Sequence, residues 1–203
     1  MKQVGSFNYK QNSSSSIDNF YVKSTADNDY VGVRMIKGPS TIKETAICNA
    51  SKYSIFEIAN WFLMKENMTH KKLQKLCYYA QAWCFALKGY KLANTDFQAW
   101  IHGPVSPALY ERFKGFGYET IRIKAKKKPE IEEADIALLE DVWETYGDKT
   151  GNALEALSHR ETPWIDARKG YANDERCSVA IDPQKMKEYY LSVYSGEADG
   201  KVN

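Results

Sequence analysis

Thr69-His70-Lys71-Lys72-Leu73-Gln74-Lys75-Leu76-Cys77-Tyr78-Tyr79-Ala80-Gln81-Ala82-Trp83-Cys84-Phe85-Ala86-Leu87-Lys88-Gly89 decides the fold. Leu73, Leu76, Cys77, Ala80, Trp83, Cys84 and Leu87 recur at helical spacing and form one apolar stripe. Thr69 is suited to cap the start, and Gly89 to end the helix as its left-handed residue. A stripe this continuous must be covered by other elements, which makes this the principal core helix. Lys71, Lys72 and Lys75 beside Tyr78 and Tyr79 have the composition of a basic-aromatic nucleic-acid surface. On a helix with such a stripe, the lysines are instead expected to form the solvated face, with Tyr79 at the core edge. Cys77 and Cys84 read as small core residues rather than a metal pair.

Working outward, the flanks are also helical. Ser54 and Glu57 form a capping box, and Ile55, Ile58, Ala59 and Phe62 carry a helix to about Lys65. Phe97 to Ile101 reads as extended up to a Gly103-Pro104 turn, and Ser106-Pro107 opens a short helix with Leu109, Tyr110 and Phe113. Ile121 and Ile123 alternate like a small strand, expected to pair with the Phe97–Ile101 segment. Further helices follow over Ala134–Tyr146, around Leu154 and Leu157 to His159, from Thr162-Pro163, and from Asp182-Pro183 with Met186, Tyr189, Tyr190 and Val193 inside. The fold class is mainly α: a compact multi-helix domain with a minor β element and an N-terminal extension.

Residues 1–50 form that extension, residues 51–195 the helical domain, and residues 196–203 a polar tail expected to be disordered. The extension carries a low-complexity run, Ser13 to Ser16, and two β-type runs, Phe20–Val22 and Tyr30–Val33, suggesting a hairpin. An isolated hairpin is marginal in water, so it needs the body or a partner to dock on. Tyr30, Val31, Val33, Met35 and Ile36 are therefore the candidate partner-binding residues.

Residues 51–203 carry twenty-two Lys/Arg and twenty-two Asp/Glu. This neutral body argues against a strong nucleic-acid footprint. The basic cluster Lys124, Lys126, Lys127, Lys128 reads as a solvated connection ahead of acidic residues. Without an apolar leader or membrane span, the expected location is cytoplasmic, and the four cysteines are expected to stay reduced. Fourteen tyrosines and five tryptophans are an aromatic excess of the kind interfaces favour.

Glycine-rich phosphate loops, His-Glu-x-x-His helices, Cys-x-x-Cys pairs and Gly-x-Ser-x-Gly elbows are missing from the sequence. The remaining constellation is His102, His159 and Glu161, with Asp166 nearby, which could hold a metal or perform acid–base work. The plainer reading has His102 ordering the Gly-Pro turn and His159 closing a helix end, where imidazolium suits the negative dipole. No cofactor and no resident metal are expected, and the chain is not expected to be an enzyme.

Four segments carry a resemblance: Asn60-Trp61-Phe62-Leu63, Leu73 to Gln81, Ala99-Trp100-Ile101-His102-Gly103-Pro104-Val105, and His159-Arg160-Glu161-Thr162-Pro163-Trp164. Together and in this order they resemble the Panacea domain, the SocA-like antitoxin family of prophages and other mobile elements. The resemblance implies a helical antitoxin domain that binds a protein toxin encoded beside it. It also implies that Trp61, Leu76, Tyr79, Trp100, His102, Gly103, Pro104, Val105, His159, Glu161, Pro163 and Trp164 mostly hold the common fold. Ser158 stands where the family usually has Thr, which keeps the hydroxyl. The expected function is neutralisation of the toxin by direct binding. Its rivals are an adaptor delivering the toxin to a protease, a metal-dependent hydrolase using His102, His159 and Glu161, and a DNA-binding autorepressor. The neutral body and the lack of a clear helix-turn-helix disfavour the last. A homo-oligomer stays open.

Overall fold

The computed structural model describes residues 19–23, 30–34, 47–122 and 128–196. The chain divides into two compact units, Met1–Met35 and Ile36–Asn203. In the first, β1 (Asn19–Lys23) and β2 (Tyr30–Arg34) pair antiparallel, with Phe20 opposite Val33 and Val22 opposite Val31. This is the hairpin expected from the two β-type runs. Ser13–Ser16, Met35, Ile36, Ile123, Lys124, Lys126, Lys127 and residues 197–203 lie outside the described residues.

The second unit runs β3 (Cys48–Tyr53), α1 (Ile55–Lys65), β4 (Met68–Thr69), α2 (His70–Lys88), β5 (Tyr90–Ala93), β6 (Gln98–Trp100), β7 (Gly103–Val105), α3 (Pro107–Phe113), β8 (Thr120–Ile121), α4 (Glu133–Tyr146), α5 (Gly151–Ser158), α6 (Thr162–Ala167) and α7 (Pro183–Ser195). It is a mainly helical fold built around α2. Helices α1, α3, α4, α5 and α7 all pack on α2, as do β5 and β7. Every residue from Leu73 to Leu87 is consequently buried, the stripe and its opposite face alike. The local signals are the ones read from sequence. Thr69 Oγ1 accepts from Lys72 N, Gly89 ends α2 at φ 72°, and the Ser54–Glu57 capping box is complete. Cys77 and Cys84 are buried, and burial raises both thiols.

Three features differ from the sequence reading. Ile121 pairs with Met68 rather than with the Phe97–Ile101 segment, so β8 closes on β4. The extended segment at 98–100 instead pairs with β7 across the Ile101-His102 loop, so Gly103-Pro104 opens a strand rather than forming the turn read from sequence, and Gln98 bridges to Ala180. Thirdly, β3 and β5 form a parallel ladder, Ser51 opposite Lys91 and Tyr53 opposite Ala93, which no local alternation announces. Asp135, in the first turn of α4, locks this ladder to α2. Its carboxylate is fully buried and accepts from Tyr53 Oη at 2.8 Å, Lys88 Nζ at 2.7 Å, Lys52 Nζ at 3.3 Å and Tyr90 Oη. Burial alone would raise this carboxyl, but the Lys88 and tyrosine donors outweigh it and hold Asp135 at about 2. No helix among the described residues is long and apolar enough to cross a membrane.

Candidate functional site

Strands β6 and β7 pair Trp100 with Gly103, leaving Ile101 and His102 as the two-residue loop of a tight hairpin. Gly103 has φ 88°, a conformation that L side chains rarely adopt. Space forbids a side chain there as well, since a Cβ would lie 2.8 Å from both Lys75 Nζ and Ser158 Oγ. The hairpin is thus clamped between α2 and α5. Lys75 Nζ donates to the carbonyls of His102 at 2.5 Å and Pro104 at 3.0 Å, and Gln74 exchanges two hydrogen bonds with the backbone of Ser106. From the other side, Trp164 Nε1 donates to Trp100 O at 3.1 Å, and Arg168 donates to Ala99 O at 2.9 Å. The two sequence segments that stood out therefore meet in one seam.

Lys75 corrects the expectation of a solvated lysine face: it is 1% exposed. Burial pushes its ammonium down to about 7, with Glu155 pulling the other way. A neutral amine still has two N–H donors, enough for both carbonyls. Lys71 does reach the surface side, bridging to Glu155 at 2.6 Å. Tyr78 and Tyr79 are wholly buried, not at the core edge.

The structure does not assemble His102, His159 and Glu161 as one site, which corrects the metal-hydrolase arrangement. The His102 imidazole is 72% exposed, and its Nδ1 lies 2.9 Å from Glu155 Oε1. Lys71 and His102 hold Glu155 below the usual carboxylate range, although burial opposes them. His159 is the C-cap residue of α5 and stacks on Trp164 at 4.1 Å. Burial lowers its imidazole, so the neutral form is favoured there, not the imidazolium expected from the helix dipole. Its Nε2 is buried without a hydrogen-bond partner. Glu161 faces inward, 4% exposed, accepting from Tyr79 Oη at 3.1 Å and Tyr190 Oη at 2.7 Å. Burial raises this carboxyl to about 8, against the pull of the two hydroxyls, so it is largely protonated at neutral pH. Among the described residues, no group of three or more His, Cys, Asp or Glu is placed to hold a metal ion.

Around Glu161 lies an aromatic nest. Tyr79 stacks on Tyr146 at 4.0 Å, Trp83 Nε1 donates to Tyr146 Oη at 3.1 Å, and Tyr190 packs edge-on to Trp83 at 5.0 Å. Leu76, Val105 and Pro163 are buried, whereas Trp100 and Trp164 are only half-buried. Trp61 packs elsewhere, edge-on to Phe62 and beneath Lys65 Nζ at 4.8 Å. Sequence reasoning missed Lys75, Tyr146, Tyr190 and Arg168 as members of this system. Of the candidate partner-binding residues, Tyr30, Val31 and Val33 lie on β2.

Comparison with known proteins falls on the same segments. The family model described as "Antitoxin SocA-like, Panacea domain" matches residues 73–165, from α2 into α6. Antitoxin SocA of Caulobacter vibrioides (strain NA1000 / CB15N) is 34% identical over 130 residues, covering 58% of this chain and 69% of that protein. No solved structure matches the chain.

Proposed function

Because the chain belongs to the SocA-like Panacea antitoxin family, we propose that it is the antitoxin of a toxin–antitoxin pair and neutralises a cognate protein toxin by direct binding. The observation that carries this reading is the similarity to an antitoxin over more than two thirds of that relative's length. The motif chemistry is compatible with a binding role. Lys75, Glu161 and Arg168 spend their polar atoms on carbonyls and hydroxyls of the chain itself, giving a rigid body on which a partner can dock without reordering. The mechanism is steric: the antitoxin covers the toxin's working surface across an interface of ordinary size, about 1,600 Å² in total.

The hairpin unit supplies specificity in this proposal. It lies outside residues 73–165, and its strand β2 carries Tyr30, Val31 and Val33. A shared helical body needs a variable element to select one toxin. The test is co-expression with the protein encoded beside this gene. Restored growth together with a co-purifying complex and unchanged toxin half-life is the expected result. A shortened toxin half-life replaces blocking with delivery to a protease, and growth arrest with no complex overturns the reading.

A further inference from the structure

An exposed loop residue gains little stability from being oriented, yet His102 is fixed at both its backbone and its ring. Its carbonyl is tied down by Lys75 Nζ, and the missing side chain of Gly103 lets the loop lie close against α2 and α5. Its imidazole ends a relay across those two helices. Nδ1 lies 2.9 Å from Glu155 Oε1 on α5, and Glu155 Oε2 accepts at 2.6 Å from Lys71 Nζ on α2, which also donates to Asn152 Oδ1 at 3.0 Å. The ring nevertheless stands mostly in solvent, so burial does not account for this support.

What the relay fixes is the tautomer. Glu155 is held below the usual carboxylate range, and an ionised carboxylate can only accept. The proton of the neutral ring therefore sits on Nδ1 and the lone pair on Nε2, aimed away from the relay. The charges behind the ring balance, Glu155 against Lys71, so the lone pair and not net charge states what fits. Carboxylates and phosphates only accept and would oppose that lone pair, whereas an N–H or O–H group is what it takes up. At the foot of the loop Trp100 packs edge-on to Tyr110 at 4.9 Å, both rings half-buried, an apolar flank of the residue types that dominate interface contacts. We infer that His102 Nε2 is a preset acceptor for a hydroxyl or N–H donor of the toxin, with Glu155 and Lys71 as its positioning residues. This rests on the toxin-binding reading and deepens it by naming one atom of the contact. Orientation is settled before the partner arrives, so less freedom is lost on binding. His102, Glu155, Trp100 and Tyr110 all fall within residues 73–165, which makes this contact a property of the shared body and leaves selection to the hairpin unit.

The experiment has two arms, both on the full-length protein. In the free protein near neutral pH, nitrogen-correlated NMR of the imidazole rings should show His102 protonated at Nδ1 alone, and Glu155→Ala should return it to a mixture of tautomers. A wild-type ring protonated at Nε2, or at both nitrogens, overturns the inference. In the second arm the protein encoded beside this gene is titrated calorimetrically. His102→Ala should weaken the complex by about tenfold or more, and Glu155→Ala by less. His102→Gln, whose amide oxygen can reach the place of Nε2, should recover part of the loss, with both His102 variants melting as the wild type does. Equal affinity of wild type and His102→Ala, no recovery by Gln, or a dimer of the chain that His102→Ala abolishes overturns the inference and leaves the antitoxin reading standing. A toxin that ignores the wild type removes the antitoxin reading, and this contact with it.

Discussion

Gly103→Ala is the sharpest perturbation of the seam, because the structure separates its two costs. At φ 88° a side chain pays for the left-handed backbone, about 1–2 kcal/mol. The new methyl also lands 2.8 Å from Lys75 Nζ and from Ser158 Oγ. Lys75 cannot swing aside freely, since its Nζ is tied to two carbonyls. Overpacking of this kind costs a further 1–3 kcal/mol or so, for a total of about 2–5 kcal/mol. Gly170 is the internal control, with φ 91° and nothing within 4 Å of its missing Cβ. Urea unfolding at pH 7 should show Gly170→Ala losing only the backbone part and Gly103→Ala losing at least about 1 kcal/mol more, at an unchanged slope. Ser158→Ala in the Gly103→Ala background should return some of the excess. Equal losses at Gly103 and Gly170 would refute the claim that α2 and α5 close on this turn.

Glu161→Gln should change how stability responds to pH. The wild-type carboxyl titrates near 8 when folded, so between its ordinary value and 8 the native state holds a proton that the unfolded chain has lost. Stability from this group is complete below the unfolded value and falls as pH rises, and Gln lacks the effect. The variant should gain on the wild type by up to about 4 kcal/mol between pH 5 and pH 8, read from paired urea melts; a constant gap would contradict the buried protonated acid. Asp135 has the opposite sign, its folded value of about 2 lying below the unfolded one. Its contribution, about 2 kcal/mol, is present above pH 4 and disappears as pH falls toward 2, so Asp135→Asn should flatten acid unfolding in that window. Deleting residues 1–35 should leave the cooperativity of the helical unit unchanged while abolishing neutralisation; full neutralisation by the truncated protein returns specificity to the helical body.

Local signals wrote most of the fold. Caps at Ser54, Thr69 and Asp182 and the stop at Gly89 are short-range chemistry, and each sits at a helix end. Pairings over long distances were less legible. The choice of β4 over β6 as partner for β8, and the parallel β3–β5 ladder, depend on where α1 and α2 carry the chain, not on the strands' own residues. Lys75 shows why periodicity misplaces a residue on a central helix. Its neighbours Lys71 and Lys72 suggest a wet face, yet helices and strands pack all round α2 and leave no such face beyond Leu73. The usable hint was Gln74, Lys75 and Gln81 within a run otherwise apolar or aromatic, where a polar residue must find an internal partner. The motif segments were legible as special through Gly103-Pro104 and Trp164, but their partners, Lys75 and Arg168, are visible only once the chain is folded.

On the proposed function, this chain acts by stoichiometric occupation of a toxin. Titrating a fixed amount of the purified cognate toxin with purified full-length protein, while reading the toxin's own activity, tests it most directly. The expected result is a linear fall to zero that ends at a fixed molar ratio, with an isolable complex of that composition. Complete inactivation by a small fraction of an equivalent, leaving a chemically altered toxin and no complex, would contradict it.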